Sequence, residues 1–447
     1  MYKAIAVYYI AYRCQQTRAG QPAQLVSRTN KEPPYMEFDV DWKKQTDFDL
    51  IRGVRLKRLQ QEMREQGLDG IISFRAEHIR FATNMRPLWW PITFTDRNCA
   101  LIPLEGDPIL YVTSGDWARC QDTMYWMPKE NIRPCGTMGD YGIASTMVNE
   151  HFGPAAKALG FDGGRIGVDA VNIHILNDLQ AALPEADITP ADHVFQGAMV
   201  QKHPEEIKCM RLSNRMSELA HTRAVEFIKP GVRECEVLGV IMDTFYSYGM
   251  EVPQCNLIVA SGENTAPIHR FASDRMIRRG DMVFMDLGGC FNGYFSDVTR
   301  TIVVGQPNQQ QIDIFSAVHA SIEATQATMK PGATNFEVNA AARLAQTDRG
   351  FEGYLGVLGH GIGVSAFSPP LIGDISATGE KEFEFKPGMT FSIEPTITIS
   401  GVPGGGGARL EDCFAVTEDG NEILSGNVPY CEKLLGKVAK DCSCGCP

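Results

Sequence analysis

The sequence has no apolar run near the ~20 residues that a membrane-spanning helix needs, so no membrane partner is expected. It also lacks a basic stripe: 42 Lys and Arg stand against 54 Asp and Glu, for a net charge of −12. That balance argues against nucleic acid or any other phosphate-backbone partner. A disulfide framework is missing as well. The thirteen cysteines are an odd number scattered from Cys14 to Cys446, which points to a reducing, cytoplasmic setting. Acids are absent from the first 31 residues, where Lys3, Arg13, Arg18, Arg28 and Lys31 precede Glu32 and Ala4–Tyr12 is apolar. The charge is that of a targeting segment, but the apolar part is short and no small-residue cleavage site follows. Residues 1–35 are therefore expected to be a disordered extension.

What remains has the balance of a folded protein, 44% hydrophobic and 21% charged, and is long enough for two domains. Ile51–Gln66 has helical spacing in Ile51, Val54, Leu56, Leu59 and Met63 and ends at Gly67. Gly70–Phe74 reads as a buried strand, and Cys99–Pro103 with Pro108–Thr113 as a hairpin through Glu105-Gly106-Asp107. Arg165–Val168 is a further strand, followed by a helical stretch to Leu183. This alternation predicts an α/β domain, with Trp89, Trp90, Trp117 and Trp126 in its core and Arg86–Pro91 as an exposed loop.

A second unit starts near Gln201, with a long amphipathic helix opening at Pro204 and running to Phe227. Ile228-Lys-Pro-Gly-Val-Arg-Glu-Cys-Glu-Val237 is echoed by Met329-Lys-Pro-Gly-Ala-Thr-Asn-Phe-Glu-Val338, 101 residues later. Two related α/β halves follow from that echo, with a site where their sheets meet.

The chemistry is concentrated in five residues. In Met282–Val304, Asn292-Gly293 is a strong hairpin signal. If it forms the turn, Phe291 faces Tyr294 and Gly288 faces Asp297, which makes Asp286 and Asp297 diagonal neighbours across the strands. Two inward carboxylates that close ask for a cation. His360 sits in a glycine loop, Leu358-Gly-His-Gly-Ile-Gly363, where the ring is not buried by its neighbours. Glu394 lies in the strand Thr390–Ile397, with Pro395 suggesting an edge or bulge. In Ala408–Val416, strand alternation sets Arg409, Glu411 and Cys413 against Leu410, Asp412 and Phe414, which disfavours an Arg409–Asp412 pair. An oxygen-rich set with one imidazole suits Mn²⁺, Fe²⁺, Co²⁺ or Zn²⁺.

The order Asp286, Asp297 in Asp-Val-Thr-Arg, His360 in Gly-His-Gly-Ile-Gly, Glu394 in Ile-Glu-Pro and Glu411 in Arg-Leu-Glu-Asp resembles peptidase family M24. That family of "pita-bread" fold includes methionine aminopeptidase, aminopeptidase P, prolidase and creatinase. The likeness implies a creatinase-type N-terminal α/β domain over 36–198 and a pita-bread catalytic domain over 199–430; Cys442-Ser-Cys-Gly-Cys446 marks 431–447 as a Cys-rich tail. It also implies two divalent ions, manganese first, bridged by Asp297 and Glu411, with Asp286 on one and His360 and Glu394 on the other. Glu394 would act as general base, and His269 in Ser261-Gly-Glu-Asn-Thr-Ala-Pro-Ile-His269 would stabilise the tetrahedral intermediate. Arg409 would orient carboxylates or meet a substrate carboxylate. Phe367 stands where peptidases of the family carry a second histidine, seven residues after the ligand histidine, so the substrate is expected to be small. The implied activity is hydrolysis of a C–N bond, in an Xaa-Pro dipeptide or the amino end of an Xaa-Pro peptide, by a homodimer. A non-peptidase of the family, creatinase-like, ectoine hydrolase-like or DMSP lyase-like, acting on a small zwitterion or amide, is the alternative. A binding or scaffold protein with the same fold is a third.

Overall fold

The helix Phe48–Glu65 opens on Asp47, whose side chain accepts from the Leu50 amide, and stops at Gly67 with φ +68°. Its fully buried stripe is Ile51, Arg55, Leu59 and Met63, an i, i+4 ladder rather than the expected set with Val54 and Leu56. Arg55 belongs to that stripe because its guanidinium is consumed by Glu206 and Tyr294 of the second unit. The computed structural model describes residues 46–87, 98–136, 141–352, 356–437 and 445–446. The expected extension, Trp89, Trp90, most of the Arg86–Pro91 loop, Cys442 and Cys444 lie outside the described residues.

The first sheet runs Ile132–Cys135, Ile109–Thr113, Cys99–Pro103, Gly70–Ser73, Arg165–Val168, Asp187–Pro190 from edge to edge. Gly70–Ser73 pairs antiparallel with Cys99–Pro103 and parallel with Arg165–Val168; the strands Gly70–Ser73, Cys99–Pro103 and Ile109–Thr113 are buried throughout. Trp126 is partly buried against this core, whereas Trp117 is 39% exposed, on a helix that leaves its ring at the surface.

The helix Pro204–Phe227 opens the second unit with a capping box between His203 and Glu206. The sequence echo is structural. Helices end at Phe227 and Thr328 and restart at Glu234 and Asn335, the same 101 residues apart. In both copies the Lys-Pro-Gly glycine has positive φ (Gly231 +94°, Gly332 +83°), and the glutamate, Glu236 or Glu337, caps the next helix. The first half carries a three-stranded sheet of Val298–Val303, Met282–Leu287 and Ile258–Ser261. The second carries five strands, in the order Ser368–Gly373, Val357–Gly361, Thr390–Ile393, Asp412–Val416, Asn421–Ile423. The halves join through a two-way backbone bridge between Thr299 and Glu411, at 3.3 and 3.0 Å.

Three expected strands are interrupted. The hairpin keeps its register throughout, with Phe291 opposite Tyr294 and Asp286 opposite Thr299. It is nonetheless split into two sheets around Gly288 and Ser296-Asp297, where the tip strand Gly289–Phe291 takes Val252–Pro253 as its second partner beside Tyr294–Phe295. Thr390–Ile397 breaks at Glu394-Pro395, since proline has no N–H to give a ladder. Thr390–Ile393 is an interior strand, paired on both sides, and not an edge. Ala408–Val416 breaks at Leu410-Glu411, where Glu411 leaves its sheet to bridge Thr299.

Candidate metal centre

The two interruptions in the second half and the one in the first turn their acids toward one space. Asp286, Asp297, Glu394 and Glu411 are all buried, as is His360. Asp297, His360 and Glu411 each offer a ligand atom within 4.8 Å of the others. His360 Nε2 lies 3.7 Å from Asp297 Oδ2 and 3.9 Å from Glu394 Oε1. Asp286 Oδ2 and Glu394 Oε2 each lie 2.9 Å from Arg409 Nη1. Asp412 pairs with Arg300 instead, as alternation anticipates.

His360 corrects the loop expectation. It lies within the strand Val357–Gly361 and is only 2% exposed. The flanking glycines serve strand packing: a Cβ at Gly359 would fall 2.6 Å from the Ser392 carbonyl oxygen. The ring is buried by its neighbouring strands, with Nδ1 3.1 Å from the Gly361 carbonyl. A proton on Nδ1 leaves the Nε2 lone pair facing the carboxylates.

Several polar groups that sequence reasoning missed hold these acids in place. Thr299 Oγ1 donates to Glu411 Oε2 at 2.6 Å, and Ser392 Oγ to Glu411 Oε1 at 2.8 Å. Gln254 Nε2 donates to Asp297 Oδ1 at 2.5 Å, and Arg409 Nε to Thr396 Oγ1 at 2.9 Å. The hairpin register already placed Thr299 opposite Asp286; no local signal marked Gln254. Phe367 is 52% exposed, its ring centroid 4.3 Å from that of His360. His269 is exposed, on the segment that follows the cis Ala266-Pro267 bond.

Burial and mutual repulsion dominate the electrostatics. Desolvation and then Glu411 raise Asp286 to about 6, despite Arg409. Desolvation, opposed by Arg409 and aided by Asp286, raises Glu394 to about 7. Asp297 is pushed well up by burial and by Glu411, and Glu411 is raised by burial and by Glu394. Burial lowers His360, which favours the neutral ring that a metal requires. Four buried acids facing one guanidinium are short of positive charge, and an oxygen-rich set with one imidazole fits a hard or borderline divalent ion.

Residues 208–418 match the Metallopeptidase family M24 model and residues 55–198 the Creatinase/Prolidase N-terminal domain model. The chain is 37% identical to an Xaa-Pro dipeptidase of Pyrococcus furiosus over 235 residues, 52% of this chain and 65% of that protein. It is 31% identical to a probable dipeptidase PepE of Mycobacterium bovis over 344 residues, 76% of this chain and 85% of that one. An Xaa-Pro dipeptidase structure from Bacillus anthracis superposes with a TM-score of 0.70 at 26% identity, covering 84% of this chain and 98% of its own. The described fold is thus the mixed α/β, pita-bread arrangement of the prolidases, and the chain belongs to metallopeptidase family M24, with a Creatinase/Prolidase-type domain ahead of the M24 domain.

Proposed function

We propose that this protein is a metal-dependent hydrolase of a C–N bond in a small substrate, most simply an Xaa-Pro dipeptide or the amino end of an Xaa-Pro peptide. The observation that carries the reading is the convergence of four buried acids and one imidazole, with the Glu394 carboxyl held near neutrality. Relatives named as dipeptidases favour it over the non-peptidase and scaffold alternatives.

Divalent ions, manganese first, held by Asp286, Asp297, His360, Glu394 and Glu411, with Asp297 and Glu411 shared, would supply an acidified water and a polarised carbonyl. Glu394 Oε1 accepts the proton of the attacking water and returns it to the leaving nitrogen as the C–N bond breaks. A base with a pKa near the working pH suits that exchange. Arg409 fixes Asp286 and Glu394 relative to each other through a single nitrogen. In this reading the exposed His269 would approach the substrate carbonyl oxygen. Phe367 covers one face of His360 with an apolar wall, which supports a compact substrate.

The reading takes domain limits at 36–198 and 199–430 with a Cys-rich tail beyond, and the matched segments 55–198 and 208–418 support a division near residue 200. No disulfide joins two described cysteines, in keeping with the reducing, cytoplasmic compartment of this reading. Among the described residues no helix is long and apolar enough to cross a membrane. A homodimer is part of this reading, and light scattering at assay concentration checks it.

The test is a screen of metal-stripped protein reconstituted with Mn²⁺, Fe²⁺, Co²⁺ or Zn²⁺. Substrates are Xaa-Pro dipeptides, longer Xaa-Pro peptides, small amides and betaines. Proline release from dipeptides, abolished by chelation, is expected. No metal uptake under any supplementation, or turnover of a betaine without C–N cleavage, would overturn the reading.

A further inference from the structure

Residues 251–254 connect the N-terminal sheet domain to a carboxylate of the metal centre. At one end Glu251 receives a two-pronged bond from Arg80, Nη1 to Oε2 at 2.6 Å and Nη2 to Oε1 at 3.0 Å. Arg86 adds Nε and Nη2 to Oε1, at 3.1 and 2.6 Å. Burial opposes charge on Glu251, yet the two arginines hold its carboxyl down at about 2, so it stays an anion. The Arg80 guanidinium rests on the hairpin turn: a Cβ at Gly293 would fall 2.4 Å from its Nε. Arg86 Nη2 also reaches Asn292 Oδ1 at 3.3 Å.

The segment is then pinned along its length to the stretch that follows Asp286. Glu251 N donates to Cys290 O at 2.8 Å and Gln254 N to Gly288 O at 3.0 Å, with Val252 opposite Cys290 and Pro253 opposite Gly289. At the far end Gln254 donates to Asp297 Oδ1. The carboxylate is thereby divided, Oδ1 toward Gln254 and Oδ2 toward His360. An amide donor orients a carboxylate without neutralising it, leaving its full charge for a cation. Gln254 also keeps its own Oε1 buried without a partner among the described residues, packed where Gly288 leaves room. An apolar side chain of the same size would avoid that cost, and the bond to Asp297 is what the amide gains.

We propose that Gln254 is a positioning residue that presents Asp297 to the metal, and that Arg80 and Arg86 set Gln254 through Glu251. The proposal rests on the metal-site reading above.

Calorimetric titration of metal-stripped, full-length protein with Mn²⁺ tests it, using wild type, Gln254→Leu, Glu251→Gln and the double variant. Gln254→Leu keeps the bulk and removes the donor; it should weaken Mn²⁺ binding about tenfold or more. Glu251→Gln should weaken it less. The double variant should bind no more weakly than Gln254→Leu alone, because Glu251 acts only through Gln254. A general loss of structure would make the two effects add. Should Glu251→Gln fail to fold, Arg86→Ala, which removes a half-exposed arm of the same cluster, takes its place. Wild-type affinity in Gln254→Leu would overturn the proposal while leaving the metal reading intact, and additive losses would overturn the relay. Absence of Mn²⁺ uptake by wild type would overturn the metal reading and the proposal with it.

Discussion

At the scale of single residues, the exposed ring of Phe367 lies against the ring of His360, at the position where the resemblance to the family's peptidases leads one to expect a histidine. A phenyl ring can neither donate a hydrogen bond nor carry a proton. If a histidine there once steadied the substrate carbonyl, its loss should cost about 10²–10³ in rate on extended peptides. Phe367→His is therefore expected to raise kcat on longer Xaa-Pro peptides by up to that factor and to lower kcat/KM on the compact substrate. Steady-state kinetics on a dipeptide and a pentapeptide decide it. Unchanged peptide cleavage in the variant would mean that Phe367 is no obstacle. The sequence made Phe367, Arg409, the four acids and the imidazole legible because each stands in a short motif of fixed spacing. The partners Thr299, Ser392 and Gln254 were hidden, since one hydroxyl or amide acquires meaning only from the strand packed against it.

Elements were easier to read where local chemistry decides them. The Lys-Pro-Gly echo marks two helix ends because proline cannot continue a helix and glycine takes positive φ at no steric cost. Asn292-Gly293 marks a turn for the same backbone reason, with φ of +51° and +83°. The strand break at Glu394 was signalled by Pro395, which has no N–H for a ladder; those at Gly288 and Glu411 were not legible, because no local residue marks them and only cross-strand partners impose the interruption. Gly293 and Gly332 share φ +83° but differ in surroundings. A Cβ at Gly332 meets nothing within 4 Å, whereas at Gly293 it strikes the Arg80 guanidinium. Gly332→Ala should cost only the backbone term, roughly 1–2 kcal/mol. Gly293→Ala should cost clearly more, because it also displaces a buried arginine. Urea unfolding of the two variants side by side measures the difference. Equal losses would mean that Arg80 yields freely and does not hold the turn.

At the scale of the whole molecule, folding brings four acids into one buried space, and that concentration should make stability depend on pH and on metal together. An acid whose pKa is raised in the folded state loses its proton first in the unfolded chain. For Glu394, ordinarily near 4.5 and here about 7, the unfolded chain holds fewer protons across that interval, so stability falls as pH rises through it. The penalty is absent below the ordinary value and complete above about 7, where a shift of this size is worth a few kcal/mol. His360, lowered by burial, works in the opposite sense as pH falls. A comparison between two proteins that both keep His360 cancels it. In chelator, Glu394→Gln should therefore match wild type in Tm near pH 4.5 and exceed it at pH 7.5. Mn²⁺ at a thousandfold excess over its Kd should reverse the order at pH 7.5, because the ion favours the charged carboxylate and adds about 4.1 kcal/mol, more than the penalty. Thermal unfolding across that pH range, with and without Mn²⁺, checks both signs. A Tm gap that ignores pH in chelator would show that Glu394 carries no such penalty, and a gap that ignores Mn²⁺ would remove it from the ligand set.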